Sequence, residues 1–284
     1  MIHTLRQIRA RIRSVSNVKK ITQAMEMVSS AKLNKIKGAF HSSHPYFLNL
    51  EYILKNFLSD LNDATHPFLG DGNDPEKTVV CIIASDTGLC GNYNHNIITA
   101  AEMFLERFAG SQLKLVTVGK EASSYFRGHG YKIAGSHLGL YGRYSAKFSQ
   151  ELSRELTTIL LNNEAEQIFI VYTRLSTKLH HAPVIDKFLP IECDSSGERR
   201  YILEPDERRI LDQLIPKYLA AKMNDILLDA LTSENSARMF AMKIATDNAE
   251  ELISTLTLMR NKARQAAITK EVLEIALSAE ALKG

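Results

Sequence analysis

Cysteine is scarce in this 284-residue chain, and its spacing excludes the frameworks that cysteines usually build. Only Cys81, Cys90 and Cys193 occur, in odd number and without a Cys-x-x-Cys pair. A disulfide framework and a cysteine zinc site are therefore not expected, and a reducing compartment is predicted. Long apolar runs are also missing, since none approaches the roughly 18–20 residues that a membrane-spanning helix needs.

Glycine and proline are nearly absent from both ends of the chain. No proline precedes Pro45, Gly38 is the only glycine before it, and Pro216 is the only helix breaker between Asp206 and Leu282. Such segments predict long helices, and the C-terminal one would measure about 110 Å at about 1.5 Å per residue. A helix of that length needs a long partner. We therefore predict that the two terminal helices form a long antiparallel coiled coil.

Apolar residues of the N-terminal helix recur at steps of three and four, the spacing of a coiled-coil seam. They are Leu5, Ile8, Ile12, Val15, Val18, Ile21 or Thr22, Met25 and Val28. The C-terminal helix is predicted to extend past this partner. Its last turns would leave an uncovered apolar tip that includes Leu273 and Leu277, which implies a socket in another protein.

Between the terminal helices the pattern changes to short segments rich in Val and Ile. The segments KTVVCIIA, QLKLVTVG, QIFIVYT and APVIDKFLPIE are predicted strands. Helical stretches are predicted near Asn92–Phe108, Glu121–Arg127 and Ser145–Asn162. Strands that alternate with helices indicate a small Rossmann-like α/β sheet domain.

The predicted organisation therefore has three parts, and the fold class is α/β with a coiled coil. An N-terminal coiled-coil helix spans residues 1–60, the α/β domain spans 75–195, and a C-terminal coiled-coil helix spans 206–284.

Charge is distributed unevenly, although the net charge is only +3. Nine basic residues and one acid, Glu26, lie between Met1 and Phe40, so the rest of the chain is net acidic. The basic end predicts an anionic partner, which is nucleic acid, lipid or an acidic protein surface. One alternative is a nucleic-acid-binding protein with a basic coiled-coil arm, whose affinity would fall steeply with salt. A second is a transit peptide, but the apolar periodicity favours a helix of the mature protein.

The segment SDTGLCGNYNHNI joins a predicted strand to a predicted helix, as in phosphate-binding loops and nucleophile elbows. It contains no Gly-Lys-Ser/Thr, and Gly88 and Gly91 do not complete G-x-G-x-x-G. For a nucleophile elbow centred on Cys90, Asn92 replaces the closing glycine, and His95 would point away on the helix. We interpret Cys90 as a small buried thiol in a tight turn.

Two further groups of titratable residues do not form a site. His180 and His181 are adjacent at the start of a strand, where successive side chains face opposite ways. Asp225 and Asp229 lie one turn apart on the C-terminal helix and are assigned to its polar flank. No catalytic, cofactor-binding or metal-binding residue is predicted.

Polar residues interrupt the C-terminal helix, although they compete for backbone hydrogen bonds in helix interiors. They are Asn235, Ser236, Thr246, Asp247, Asn248, Asn261, Gln265 and Thr269. Two interpretations remain open at this point. The residues form a solvated face beside close Ala-mediated packing, or a polar surface that partners recognise.

Three blocks resemble the γ subunit of the rotary F-type ATP synthase, in order and over nearly the whole chain. They are SVSNVKKITQAMEMVSSAKL, SDTGLCGNYNHNI and ENSARMFAMKIATDNAEELI with NKARQAAITKEVLEI. The resemblance implies a non-catalytic rotor shaft without cofactor that couples proton or sodium flow to ATP synthesis or hydrolysis. Its partners would be a ring of three α and three β subunits, the ε subunit and the c-subunit ring. Nucleic acid is not among them, and membrane contact would be made only through the c ring.

The resemblance also implies positions for these contacts. Arg238, Arg264, Gln265 and Thr269 match contacts with β-subunit loops, and Met25 matches a position facing an acidic lever of the β subunits. Leu273 and Leu277 match the tip in the sleeve of the ring. Tyr201, Leu203 and Glu204 match a foot that meets the c ring and ε. We expect a peripheral position on the cytoplasmic face of a bacterial inner membrane.

The chain departs from the family pattern at a few positions. Gln23 stands where lysine is usual, and Thr87 stands where arginine is usual. Asn92-Tyr93 replaces Gly-Leu, which puts a contact of that loop in doubt. Pro216 removes one helical hydrogen bond and is expected to bend the helix near its start.

Overall fold

A computed structural model describes residues 5–59, 66–70, 76–108, 112–175, 181–192 and 206–281. Two long helices enclose an α/β segment in the sequence. In chain order, the elements are α1 (Leu5–Ser59), β1 (Lys77–Ile83), α2 (Tyr93–Leu105), a 3-10 turn (Glu106–Phe108), β2 (Gln112–Val118), α3 (Lys120–Gly128), β3 (Ile133–His137), α4 (Ala146–Leu161), β4 (Gln167–Leu175), β5 (His181–Leu189) and α5 (Glu207–Ala281). Among these residues, no helix combines the length and hydropathy that crossing a membrane requires.

The five strands form one mixed sheet in the order β3-β2-β1-β4-β5. The pairs β1–β2, β1–β4 and β2–β3 are parallel, and β4–β5 is antiparallel. All four predicted strands are confirmed. The fifth strand, β3, was not predicted, because its sequence IAGSH carries a glycine and polar residues where a buried strand would be rich in Val and Ile.

Alternate residues of β1 belong to two different cores, as expected for a strand covered on both faces. Val79, Cys81 and Ile83 pack with residues of α4, with the C-terminal part of α1 and with the first turns of α5. Val80 and Ile82 pack with residues of α2 and α3. The long helices therefore cover one face of the sheet.

The chain divides into two compact units. One comprises Ser29–Arg238 and contains the sheet with the adjoining parts of α1 and α5. The other comprises Met1–Val28 and Met239–Gly284, the outer parts of the same two helices.

In both units α1 and α5 run antiparallel, as predicted. Within Ser29–Arg238, Ile36 packs against Leu228 and Leu231, and His44 Nδ1 lies 2.7 Å from Asp225 Oδ1. A larger residue number in α1 is thus opposite a smaller one in α5. The antiparallel coiled coil and the α/β sheet domain are confirmed.

The unit of Met1–Val28 and Met239–Gly284 shows the same direction, with polar contacts between the two helices. The Thr22 and Thr246 hydroxyls are 2.8 Å apart and buried, and Lys19 Nζ is 3.1 Å from Glu250 Oε1. The prediction that Val18, Ile21 and Val28 line the seam is wrong, since they are 49%, 59% and 56% exposed. Of the two alternatives at Ile21 and Thr22, Thr22 is the seam residue. Its buried hydroxyl is accommodated there because it bonds to Thr246.

Candidate functional site

A cluster of polar side chains lies in the unit Ser29–Arg238, where loops at the carboxyl end of the sheet meet both long helices. We call it the polar cluster and define it by Lys32 of α1, Asp86 and Thr87 of the β1–α2 loop, and Glu234 and Arg238 of α5. Its members come from three separate parts of the chain, and apart from the Glu234–Arg238 pair within α5 its contacts join one element to another.

Arg238 is the centre of the cluster. Its Nη1 lies 2.8 Å from Glu234 Oε1, and the two side chains are only 8% and 4% exposed. Its Nη2 donates to the carbonyl oxygen of Thr87 at 2.9 Å and to Thr87 Oγ1 at 3.1 Å. Burial raises the pKa of the Glu234 carboxyl, and the neighbouring Arg238 guanidinium opposes this shift. The ion pair lies within α5 and holds the Arg238 guanidinium in place, and the hydrogen bonds from Arg238 to Thr87 attach α5 to the β1–α2 loop.

Asp86 joins that loop to its neighbours. Its carboxylate accepts hydrogen bonds from the backbone N–H groups of Lys120 and Gly139, both at 3.1 Å, and of Tyr141 at 2.7 Å. The backbone of residue 119 lies so close to the backbone of Ala84 that only glycine fits there, because a Cβ would lie 2.2 Å from the carbonyl oxygen of Ala84. One buried carboxylate therefore holds three loops together.

Lys32 completes the connection to α1. Its Nζ donates to the carbonyl oxygen of Tyr141 at 2.7 Å. Burial lowers the pKa of the Lys32 ammonium, and the nearby Arg238 lowers it further. Tyr141 has φ 47°, a left-handed conformation that is uncommon for a residue with a side chain. Tyr141 is held in this conformation by two hydrogen bonds, from its backbone N–H to Asp86 and from Lys32 to its carbonyl oxygen.

Cys90 was considered from the sequence as a possible nucleophile, and it is buried in the β1–α2 loop. Its Sγ accepts a hydrogen bond from Asn94 Nδ2 at 3.3 Å, and burial raises the pKa of the thiol. His95 is exposed on the next helix. The interpretation of Cys90 as a small buried thiol is confirmed.

Alkaline pH should destabilise the fold through the buried phenol of Tyr93, whose Oη donates to the carbonyl oxygen of Ala230 at 3.2 Å. Burial raises its pKa well above 10, so the folded state keeps a proton that the unfolded state loses above pH 10. The free energy of unfolding should fall by about 1.4 kcal/mol more in the wild type than in Tyr93→Phe between pH 8 and 11. Chemical denaturation at both pH values measures this difference.

The matched control is Tyr52→Phe, which removes a phenol that is exposed in the folded chain. Its free energy of unfolding should equal that of the wild type at both pH values. An equal pH dependence for the wild type and Tyr93→Phe would contradict the assignment of the alkaline loss to Tyr93.

The predicted contact residues fall into three groups. Arg238 belongs to the polar cluster, where its partners are within this chain. Met25 is half-buried on α1. Arg264, Gln265 and Thr269 are exposed near the end of α5, and Leu273 and Leu277 are 57% and 67% exposed. Tyr201, Leu203 and Glu204 lie outside the described residues.

Both interpretations of the polar run on α5 fail for its first part. Asn235, Ser236 and Thr246 are buried, not solvated or available to a partner. Asn235 Nδ2 donates to the carbonyl oxygen of Leu231 at 2.8 Å, and Gly142 lies directly against its side chain. Asp247, Asn248, Gln265 and Thr269 are exposed, so for them both interpretations remain open.

The other titratable groups noted in the sequence are placed as follows. Asp225 pairs with His44, and Asp229 Oδ2 lies 3.5 Å from Arg174 Nε, so the two carboxylates serve separate pairs. His180, Cys193 and the side chain of His181 lie outside the described part of the chain. Within that part, no three His, Cys, Asp or Glu side chains are arranged to hold a metal ion.

Sequence reasoning missed Lys32, Asp86 and Glu234 as members of a common site. A partial signal was present, because Glu234 and Arg238 are one helical turn apart and Asp86 follows a buried strand directly. Their convergence depends on tertiary contacts between residues up to 151 positions apart, which no local spacing reveals.

Comparison with known proteins assigns the chain to a family. The family model described as ATP synthase matches residues 4–282. The ATP synthase gamma chain of Protochlamydia amoebophila (strain UWE25) is 36% identical over 288 residues, which covers 99% of each chain. The ATP synthase gamma chain of Pelotomaculum thermopropionicum is 37% identical over 284 residues, again covering 99% of each.

Solved structures show the same fold at lower sequence identity. A chain of the Euglena gracilis mitochondrial ATP synthase, in an OSCP/F1/c-ring structure, superimposes with a TM-score of 0.70 at 18% identity, covering 98% of this chain and 94% of that one. A chain of the Tetrahymena thermophila mitochondrial ATP synthase central stalk and c ring gives a TM-score of 0.60 at 20% identity, covering 79% and 99%. Given the near-complete coverage by relatives above 30% identity, this chain belongs to the ATP synthase gamma chain family.

Proposed function

We propose that the chain is the central rotor shaft of an F-type ATP synthase, which couples ion flow through a membrane ring to ATP synthesis or hydrolysis on other subunits. The observation that carries this proposal is the family match over residues 4–282 together with the antiparallel pairing of α1 and α5. In this role the chain performs no chemistry itself. It changes the conformation of catalytic subunits by presenting them with different surfaces as it turns.

The exposed residues of α5 support a division between bearing and torque contacts. Val272, Leu273, Ile275 and Leu277 present aliphatic side chains that are more than half exposed. Contact of such groups with an apolar sleeve has no preferred direction, so it holds the shaft without fixing its angle. Arg264, Gln265 and Thr269 carry directional hydrogen-bonding groups one to three turns earlier, and these would favour particular angles of the shaft.

The outer part of α1 provides the second contact surface. Val18, Ile21 and Val28 are exposed beside the half-buried Met25, and basic residues including Lys20 lie on the same helix. An exposed apolar ridge flanked by positive charge fits an acidic lever with apolar contacts. The β subunits would supply this lever.

The proposed assembly has the α and β subunits around the long helices, with ε and the c ring at the foot. The foot would include Tyr201, Leu203 and Glu204. One neighbouring solved structure is an OSCP/F1/c-ring assembly and another is a central stalk with a c ring, which supports membership in a membrane-associated complex. We propose a peripheral position on the cytoplasmic face of a bacterial membrane.

The test is ATP hydrolysis by the cognate α and β subunits, mixed with and without this chain at a ratio of three α and three β to one. The chain alone should hydrolyse no ATP. Its addition should give a stable complex with sustained turnover well above that of α and β alone.

A chain that neither joins the α and β subunits nor changes their rate would overturn the proposal. Retention of the chain on nucleic acid, with an affinity that falls steeply with salt, would then favour the alternative based on its basic N-terminal helix.

A further inference from the structure

We propose that the polar cluster is the joint that transmits torque from the sheet domain to the two long helices, with Asp86, Glu234 and Arg238 as its positioning residues. This inference rests on the proposed function, because only a rotating shaft loads this junction. It assigns to Arg238 a role within the chain, in addition to the partner contact that the sequence resemblance implies.

Apolar packing and hydrogen bonds contribute in different ways to this joint. The sheet and the first turns of α5 share a large core that includes Leu219, Met223 and Ile226. Interlocked side chains of this kind transmit strain, but apolar attraction itself has no preferred direction, so the hydrogen bonds of the polar cluster supply the directional part of the contact. Hydrogen bonds, and charge-assisted ones above all, lose energy steeply when their geometry changes.

The bonds of the polar cluster form a continuous path from α5 to α1 through the sheet loops. Arg238 of α5 binds Thr87, and the adjacent Asp86 accepts from the backbone N–H of Tyr141. The carbonyl oxygen of Tyr141 then accepts from Lys32 of α1. Each helix is thus bonded to one of two loops, and Asp86 joins those loops to each other. Rotation of the sheet domain around either helix would have to break at least one charged contact.

The composition of this region indicates that geometry, not stability, is what it provides. A buried ion pair such as Glu234–Arg238 contributes little net stability, because desolvation of both charges offsets their attraction. Next to it, the buried Ser233 Oγ and Asn235 Oδ1 find no hydrogen-bond partner among the described residues, which is a further cost. An apolar surface here would pack at lower cost but without directional bonds.

The test uses two variants of the complete ATP synthase reconstituted in vesicles. Glu234→Leu with Arg238→Met replaces the ion pair by apolar groups of similar length. Asp86→Asn leaves Arg238 intact but removes the charge that holds the neighbouring loops. The matched control replaces an exposed pair at the same spacing, Lys147→Met with Glu151→Leu on α4. The quantities measured are ions pumped per ATP hydrolysed and the midpoint of thermal unfolding of the isolated chain.

Both variants should pump about threefold fewer ions per ATP, a factor within the range that the loss of one net hydrogen bond represents. The unfolding midpoint of the double variant should stay within about 3 °C of the wild type, as expected when an apolar pair replaces a buried ion pair. The control should match the wild type in both measurements. Loss of pumping without loss of stability is the signature of a positioning role.

Three results would overturn the inference. Unchanged pumping in both variants would show that the apolar core suffices as the joint. A loss confined to the variant that lacks Arg238 would assign the effect to a partner contact of Arg238. A loss of pumping that follows the loss of thermal stability would assign the residues a structural role only.

If Asp86→Asn fails to assemble, Thr87→Val serves in its place, since it removes one acceptor of Arg238 in the same loop. Failure of the wild-type chain to assemble or couple would instead overturn the proposed function itself.

Discussion

Replacing Phe126 by alanine should lower the free energy of unfolding by about 3–5 kcal/mol, the largest effect on stability that we expect from a single substitution. Phe126 lies on α3 with its side chain fully buried. Its ring makes edge contacts with Tyr125 and Tyr131, each at a centroid distance of 5.3 Å, and it packs in the core formed by α2, α3 and one face of the sheet. Alanine would leave a cavity that these neighbours cannot fill without moving the sheet or α2.

Denaturant titration of the isolated chain, followed by circular dichroism, measures this loss. The matched control is Met103→Ala on α2, where the side chain is exposed and the expected change is within about 0.5 kcal/mol. A loss below about 1 kcal/mol for Phe126→Ala would contradict the packing of α3 against the sheet that the fold requires.

Introducing two charges at the apolar tip, Leu273→Glu with Leu277→Glu, should weaken assembly with the α and β subunits by at least about 100-fold. Burial of a leucine side chain contributes about 1.5–3 kcal/mol, so two leucines in a sleeve contribute enough for that change in affinity. The two residues are one helical turn apart, 57% and 67% exposed, and would enter the sleeve on the same side. Because both are exposed in the isolated chain, its own stability should be unchanged.

Binding of the labelled chain to α and β subunits, titrated at fixed ionic strength, measures the effect. Leu161→Glu is the control, since it places one glutamate on an exposed leucine at the end of α4, away from the proposed contacts. Equal affinities for the tip variant and this control would show that the tip is not buried in the assembly.

The fold was predictable because its signals are strong and local. The absence of glycine over the whole of α5 and the alternation of Val-rich and helical segments after Lys77 each depend on neighbouring residues only. The antiparallel pairing followed from length, since a helix such as α5 cannot bury its apolar side chains on a small domain. The edge strand β3 was not predicted, because its sequence has low strand propensity and it is stabilised by pairing with β2.

The residues of the seam and of the polar cluster could not be predicted from local signals. Ile21 and Thr22 both fit a heptad spacing, and only the opposing hydroxyl of Thr246 selects Thr22. Arg238 lies in a polar run whose composition predicts an exposed surface, but the β1–α2 loop covers this residue. Burial of the Arg238 charge depends on a distant partner, Thr87, and periodicity carries no information about that contact.

The most direct test of the central claim is to watch the chain turn. A Cys193→Ser, Lys147→Cys variant would carry a bead at one exposed position, since Cys81 and Cys90 are buried and the Lys147 side chain is 85% exposed. The α and β subunits would be fixed to a surface around it. A rotor shaft predicts continuous rotation of the bead in one direction that starts on addition of ATP and stops when ATP is exhausted. A bead that stays bound but never rotates, while the same complexes hydrolyse ATP, would contradict the assignment of this chain as the shaft.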